Sequence, residues 1–219
     1  MSSYHLVSDE IHASMAEVGT ILAVYNGWSR GSSFISKAIR YLDIVKFAGK
    51  KYKSAVNHVY RRFVFDSGIS IIFESHIKGG IQINSWTKVL RACKTGKVTG
   101  IYEEKINLDS EQMAELWNRY LIFEGDGYDR KLILLYYLWH RTGRLFTKLL
   151  LRHRKSKFTC NEIFIETGKG IDPLCKNIDL TYTPERLILK ATGKPSQLLK
   201  DGRKFRYNAS WDADLIWVK

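Results

Sequence analysis

The chain has 219 residues, 45% of them hydrophobic and 13% aromatic, enough to bury a sizeable core, and this excludes a disordered chain. Its 35 Lys and Arg against 22 Asp and Glu give a formal net charge of +13, which suggests a polyanionic neighbour such as nucleic acid, an anionic membrane or an acidic wall polymer. The three cysteines, Cys93, Cys160 and Cys175, form no CxxC pair, which argues against a disulfide framework or structural zinc site; free thiols and no metal or cofactor are expected.

Residues 1–17 carry acids and lack a continuous apolar stretch, so no signal peptide is expected and cytoplasmic synthesis is. A strand is predicted at 20–25. The loop Gly27-Trp28-Ser29-Arg30-Gly31-Ser32-Ser33 then caps an amphipathic helix over 34–42. β-rich runs at 55–65 and 69–75 flank the turn Asp66-Ser67-Gly68. A hairpin centred near Ser67 pairs positions that sum to about 134, which sets His58 opposite His76 and close to Glu74. Shorter strands are expected at 80–84 and 96–102, with a connecting helix at 85–90. Asp109-Ser110-Glu111-Gln112 opens a helix running toward Phe123, with Met113, Leu116, Trp117, Tyr120 and Leu121 at helical spacing as a core stripe.

The apolar run at 132–139 is well short of the roughly 20 residues that span a bilayer and reads as buried helix. Over 141–157, Arg144, Lys148, Arg152, Arg154 and Lys155 interleave with Leu145, Phe146, Leu149, Leu150 and Leu151. Such a cationic amphipathic helix fits a solvated basic face over a packed apolar one, or a surface for an anionic membrane or phosphates. Further on, Thr183 can cap a helix whose first turn holds Pro184. The tail over 191–219 is expected to end in a strand or hairpin.

The block Phe158-Thr159-Cys160-Asn161-Glu162-Ile163-Phe164 sets a cysteine at the start of an apolar-periodic segment, hence at a helix N-terminus, where positive potential favours a thiolate. Taken alone, a cysteine is more often a small buried hydrophobe. Its partners decide, and His58 with Glu74 or His76 offers a base and a group to orient it.

His58 in a strand, Glu74 at the end of the next, Gly79-Gly80-Ile81, Gly127-Tyr128-Asp129 and Phe158-Thr159-Cys160-Asn161-Glu162 together resemble the circularly permuted papain-like branch of the NlpC/P60 superfamily. The YiiX/YebB-like members are the nearest in pattern. In that branch the histidine and the polar residue precede the cysteine, as they do here. Val18-Gly19-Thr20-Ile21-Leu22 is similar to the family's Gly-Asp-Ile-Leu entry strand, with Thr20 in place of aspartate. Cys160-Asn161-Glu162 stands where the family has Cys-Ser-Glu.

The resemblance covers about 19–188 and implies one α+β domain over 1–219, with an extension at 191–219. Its sheet would be antiparallel and packed against helices, with the nucleophile at a helix N-terminus. It further implies Cys160 as nucleophile, His58 as general base, Glu74 as the orienting third residue with His76 as its competitor, and Tyr128 with the Cys160 N–H at the substrate or oxyanion. The expected activity is hydrolysis of an amide bond in a peptide or cell-wall peptide through a thioester. Two alternatives stand beside it: lipid deacylation or acyl transfer at an anionic membrane, and a non-catalytic basic module binding nucleic acid or a partner protein.

Overall fold

The computed structural model describes residues 15–25, 43–76, 79–95, 97–129, 157–178 and 182–198. The loop at 27–33, the expected helix over 34–42, the apolar run at 132–139, the basic residues Arg144, Lys148, Arg152, Arg154 and Lys155, and the tail beyond 198 lie outside the described residues. In chain order the elements are β1 (Met15–Tyr25), β2 (Ile44–Phe47), β3 (Lys50–Lys53), β4 (His58–Phe65), β5 (Ser70–His76), β6 (Gly80–Ser85), α1 (Trp86–Lys94), β7 (Val98–Ile106) and α2 (Ser110–Ile122). Then come β8 (Gly127–Tyr128), β9 (Lys157–Phe158), α3 (Cys160–Gly168), a 3-10 turn (Pro173–Cys175) and α4 (Pro184–Thr192).

Five strands form one antiparallel sheet in the order β6-β5-β4-β1-β7, and helices pack on both of its faces. The fold is mixed α+β. Side chains alternate across a strand, so odd and even positions of β4 and β5 serve different layers. Phe63 and Phe73 meet Met113, Leu116, Trp117 and Tyr120 of α2 and Ile163 of α3. Tyr60 and Ile72 meet Trp86, Val89 and Ala92 of α1. A third cluster, with Val56, Val59, Phe164, Ile165, Leu187 and Ile188, closes the end of β4 against α3 and α4.

The central strand carries two adjacent buried arginines on opposite faces. Arg61 donates to Asp172 Oδ2 at 2.7 Å and lies 4.0 Å above the Phe164 ring, clamping α3 onto β4. Arg62 lies 4.3 Å above the Trp86 ring, donates to Ser70 Oγ at 2.9 Å and stands 3.6 Å from Glu103. A buried guanidinium without such partners would cost several kcal/mol, on the order of 3–5 for a broken pair.

The hairpin register is the expected one. Arg61 faces Phe73, Arg62 faces Ile72 and Phe63 faces Ile71, closed by a turn in which Gly68 takes φ 79°. Elsewhere the boundaries differ. β1 extends back from the predicted start at 20 to Met15, with Met15 and Val18 buried and a bulge between Met15 and Glu17 breaking the alternation. β4 begins at His58, since the Ala55 N–H donates to Ser196 Oγ at 2.8 Å instead of joining the ladder. β7 runs through the charged Glu103 to Ile106. In α2, Asp109 and Gln112 form a reciprocal capping box, but Leu121 falls off the apolar face and is exposed. The β2–β3 hairpin, with Ala48 and Gly49 at positive φ, was not among the predicted elements.

Candidate active site

Three segments remote in sequence meet at one end of the sheet. The first is the opening residue of β4. Its imidazole, His58, holds Glu74 Oε2 through Nε2 at 2.9 Å, and the ring is hydrogen-bonded to the Cys160 thiol. With Nε2 engaged by the carboxylate, Nδ1 is the ring nitrogen left for the sulfur. The β4–β5 pairing joins Arg61 to Phe73, and that register carried on toward the start of β4 sets position 58 opposite 76, two residues from Glu74 on the same face.

The second segment supplies the thiol. Cys160 is the first residue of α3, buried, with Thr159 as N-cap. The Thr159 N–H donates to Glu162 Oε2 at 2.9 Å, and the Glu162 N–H donates back to Thr159 Oγ1 at 3.4 Å. This capping box fixes the first turn and so the direction of the sulfur, in the positive field of the helix end. Upstream, Ser75 Oγ donates to the Phe158 carbonyl at 2.9 Å, which ties the approach to the cysteine onto the end of β5. Downstream, Asn161 Nδ2 donates to the Tyr182 carbonyl at 2.8 Å, while the Cys160 thiol lies 3.4 Å from Asn161 Oδ1.

The third segment brings Tyr128 through a short parallel pairing, in which Gly127 faces Lys157 and Tyr128 faces Phe158. A glycine makes this pairing possible. Gly80 has φ 69°, and a Cβ there would stand 2.0 Å from the Asp126 carbonyl oxygen, which accepts the Ile81 N–H at 2.7 Å. Any side chain at position 80 would push the 126–128 strand away from β6.

The charges at the site are mutually arranged. Burial disfavours the imidazolium, but the negative Cys160 sulfur, its hydrogen bond to the ring, and Glu74 outweigh that and lift the His58 pKa to about 10. Burial would likewise raise Glu74, yet the hydrogen bond and charge of His58, with His76 and Lys88 beyond, hold its carboxyl below the usual range. Burial and the negative groups at Cys160, Glu162 and Asp129 push the Tyr128 phenol well above its usual 10, so it keeps its proton and can donate. Burial pushes the Cys93 thiol up to about 11 and the Cys175 thiol up to about 12.

Of the sequence candidates, Cys160, His58, Glu74 and Tyr128 come together. His76 stands edge-on to His58, with ring centroids 6.3 Å apart at 87°, and its charge acts on Glu74. The hydrogen bond from the imidazole goes to Glu74 Oε2. Sequence reasoning missed Asn84, whose Nδ2 donates to Glu74 Oε1 at 2.9 Å, and Lys88, whose Nζ donates to Asn84 Oδ1 at 2.7 Å. The signal for Asn84 was its place two residues from Gln82, the residue paired with Glu74 on β6, and Lys88 follows one helical turn later.

Among the described residues no group of His, Cys, Asp and Glu is arranged to hold a metal ion, and no helix is long and apolar enough to cross a membrane. No protein-family model, no curated protein and no solved structure matches the chain.

Proposed function

We propose that this protein is a papain-like thiol hydrolase of the permuted NlpC/P60 type, cleaving an amide bond in a peptide. The observation that carries the reading is one imidazole hydrogen-bonded on one side to the helix-terminal Cys160 and on the other to the buried Glu74. Chemically that is a base within reach of a nucleophile, with a third group fixing its tautomer.

In the proposed cycle the Cys160 sulfur, its proton held by His58, attacks the carbonyl carbon, and the C=O electron pair moves onto oxygen. The oxyanion is met by the Cys160 N–H, which has no place in the helical i to i−4 ladder, and by the Tyr128 hydroxyl. Collapse of this intermediate breaks the C–N bond as His58 protonates the leaving amine. A water deprotonated by His58 then attacks the thioester, and the carboxylic acid leaves with the thiol regenerated. Glu74 holds the ring in one tautomer throughout, and Asn84 holds Glu74.

The test is the rate of iodoacetamide alkylation at each cysteine, read by peptide mass spectrometry from pH 5 to pH 9. Cys160 is expected to react below neutral pH and to lose that reactivity in His58→Ala, while Cys93 and Cys175 react only in alkali. Equal rates at all three thiols in the folded protein would end the reading.

A further inference from the structure

The β2–β3 hairpin has no part in the site just described, and its two faces differ sharply. Directly paired residues share a face, so Ile44 with Lys53 and Lys46 with Lys51 lie on one side, and Val45 with Tyr52 and Phe47 with Lys50 on the other. Val45 is buried and Phe47 and Tyr52 are half-buried, edge to face at 6.4 Å, so this is the inward side. Ile44, Lys46, Lys51 and Lys53 are all exposed.

The outward side thus presents three ammonium groups within two adjacent residue pairs. Lys46 and Lys51 sit directly opposite each other, and like charges so placed destabilise a ribbon. Among the described residues no ion pair joins either of them to a carboxylate. The ribbon is nevertheless firmly rooted. The Ser54 N–H donates to the Asp43 carbonyl at 2.8 Å, and the Asp43 carboxyl accepts from Thr183 Oγ1 at 2.5 Å and from the Glu185 N–H at 3.0 Å at the start of α4.

We propose that this lysine face docks the phosphodiester backbone of double-stranded nucleic acid, independently of sequence and of the thiol chemistry. An anion between Lys46 and Lys51 converts a repulsive pair into a shared contact. A two-stranded ribbon has the width that the major groove admits. Lysines are point charges and the face carries no aromatic ring, so the contacts go to phosphates and not to bases. An anionic membrane fits less well. A membrane-seeking surface adds apolar side chains that insert, whereas the tip here is Ala48-Gly49 and the one exposed apolar residue of the face, Ile44, lies at the root.

The experiment is fluorescence anisotropy of the full chain with a labelled duplex of about 20 bp across about 50 to 200 mM salt. Each lysine on a phosphate contributes about 0.9 to the slope of log affinity against log salt, so Lys46→Gln with Lys51→Gln should flatten it by about 1.8. Over that fourfold rise in salt, wild-type affinity then falls about 12-fold more than the variant's. Lys46→Arg with Lys51→Arg, which keeps both charges, should retain the wild-type slope. An unchanged slope in the Gln variant, or no duplex binding by the wild type, overturns the proposal. So does a Gln variant that keeps its duplex slope but loses co-sedimentation with phosphatidylserine vesicles. Cys160 alkylation, read in the same samples, should not change.

Discussion

Replacing Cys160 by alanine tests the electrostatics of the site at the cost of one buried sulfur, with the helix start that carries the residue unchanged. In the wild type three influences act on His58: burial, which expels the charged ring, and Cys160 and Glu74, which retain it. Their balance moves the pKa from 6.5 to about 10. At about 1.4 kcal/mol per pH unit, that interval corresponds to about 5 kcal/mol of preference for the imidazolium. Removal of Cys160 takes away both its charge and its hydrogen bond, leaving Glu74 alone against burial, so the His58 titration must move down. The assay is NMR of the protein with labelled imidazole carbons and nitrogens, followed from pH 5 to pH 11. The wild-type ring should remain protonated through pH 8, and in Cys160→Ala it should lose its proton at lower pH. A wild-type ring that titrates near 6.5, or a Cys160→Ala ring that titrates where the wild type does, would refute the pairing of His58 with the sulfur.

Two further changes probe the frame around the site. Asn84→Ala leaves the buried Glu74 Oε1 without its 2.9 Å donor, and losing a hydrogen bond to a charged group of this kind costs about 1.5–3 kcal/mol, to be read as a lower midpoint in urea with an unchanged m-value. Asp43 is a buried carboxyl that burial and the nearby Glu185 charge push up to about 7 from 3.8, against hydrogen bonds from Thr183 and the Glu185 N–H. An acid with a raised native pKa binds its proton more tightly when folded, so its contribution is whole below about pH 3.8 and is lost as the pH rises to about 7. Asp43→Asn, which keeps one acceptor for the Glu185 N–H, should therefore cost little or even stabilise at pH 8 and cost most at pH 4, measured as Tm against pH; the opposite order would mean that Asp43 is ionised and paired in the native state.

What could be read from the sequence was whatever rests on short-range chemistry. The turn Asp66-Ser67-Gly68 sets a register, and that register alone brings His58 to Glu74. The caps at Thr159, Asp109 and Thr183 are spelled out within four residues, so the helix that carries Cys160 was visible. Asn84 was not, because its contact needs the register of a third strand. The β2–β3 ribbon was hidden for a different reason: its outward face is lysine, which has low strand propensity, and its turn places Ala48 at φ 47°, where glycine or asparagine is the usual marker.

Arg61 and Arg62 are the strongest case of a long-range cause. Two adjacent arginines in a strand read as at least one solvent-facing charge, yet both are fully buried, since helices cover both faces of β4. The counter-charge for Arg61 is Asp172, 111 residues along the chain, and no local pattern announces it. The same pairing decides where the nucleophile stands. Asp172 lies just after α3 and Arg61 three residues into β4 from His58, so their 2.7 Å bond fixes one end of the helix while the cap at Thr159 fixes the other. Gly168 allows that closeness, because a Cβ there would lie 2.5 Å from Cys175 Sγ and 3.0 Å from Arg61 Nη2. The helix is thus pinned at both ends against the strand that carries the imidazole, and a thiol–imidazole contact that must hold to within about 0.5 Å to be productive has the rigid support it requires.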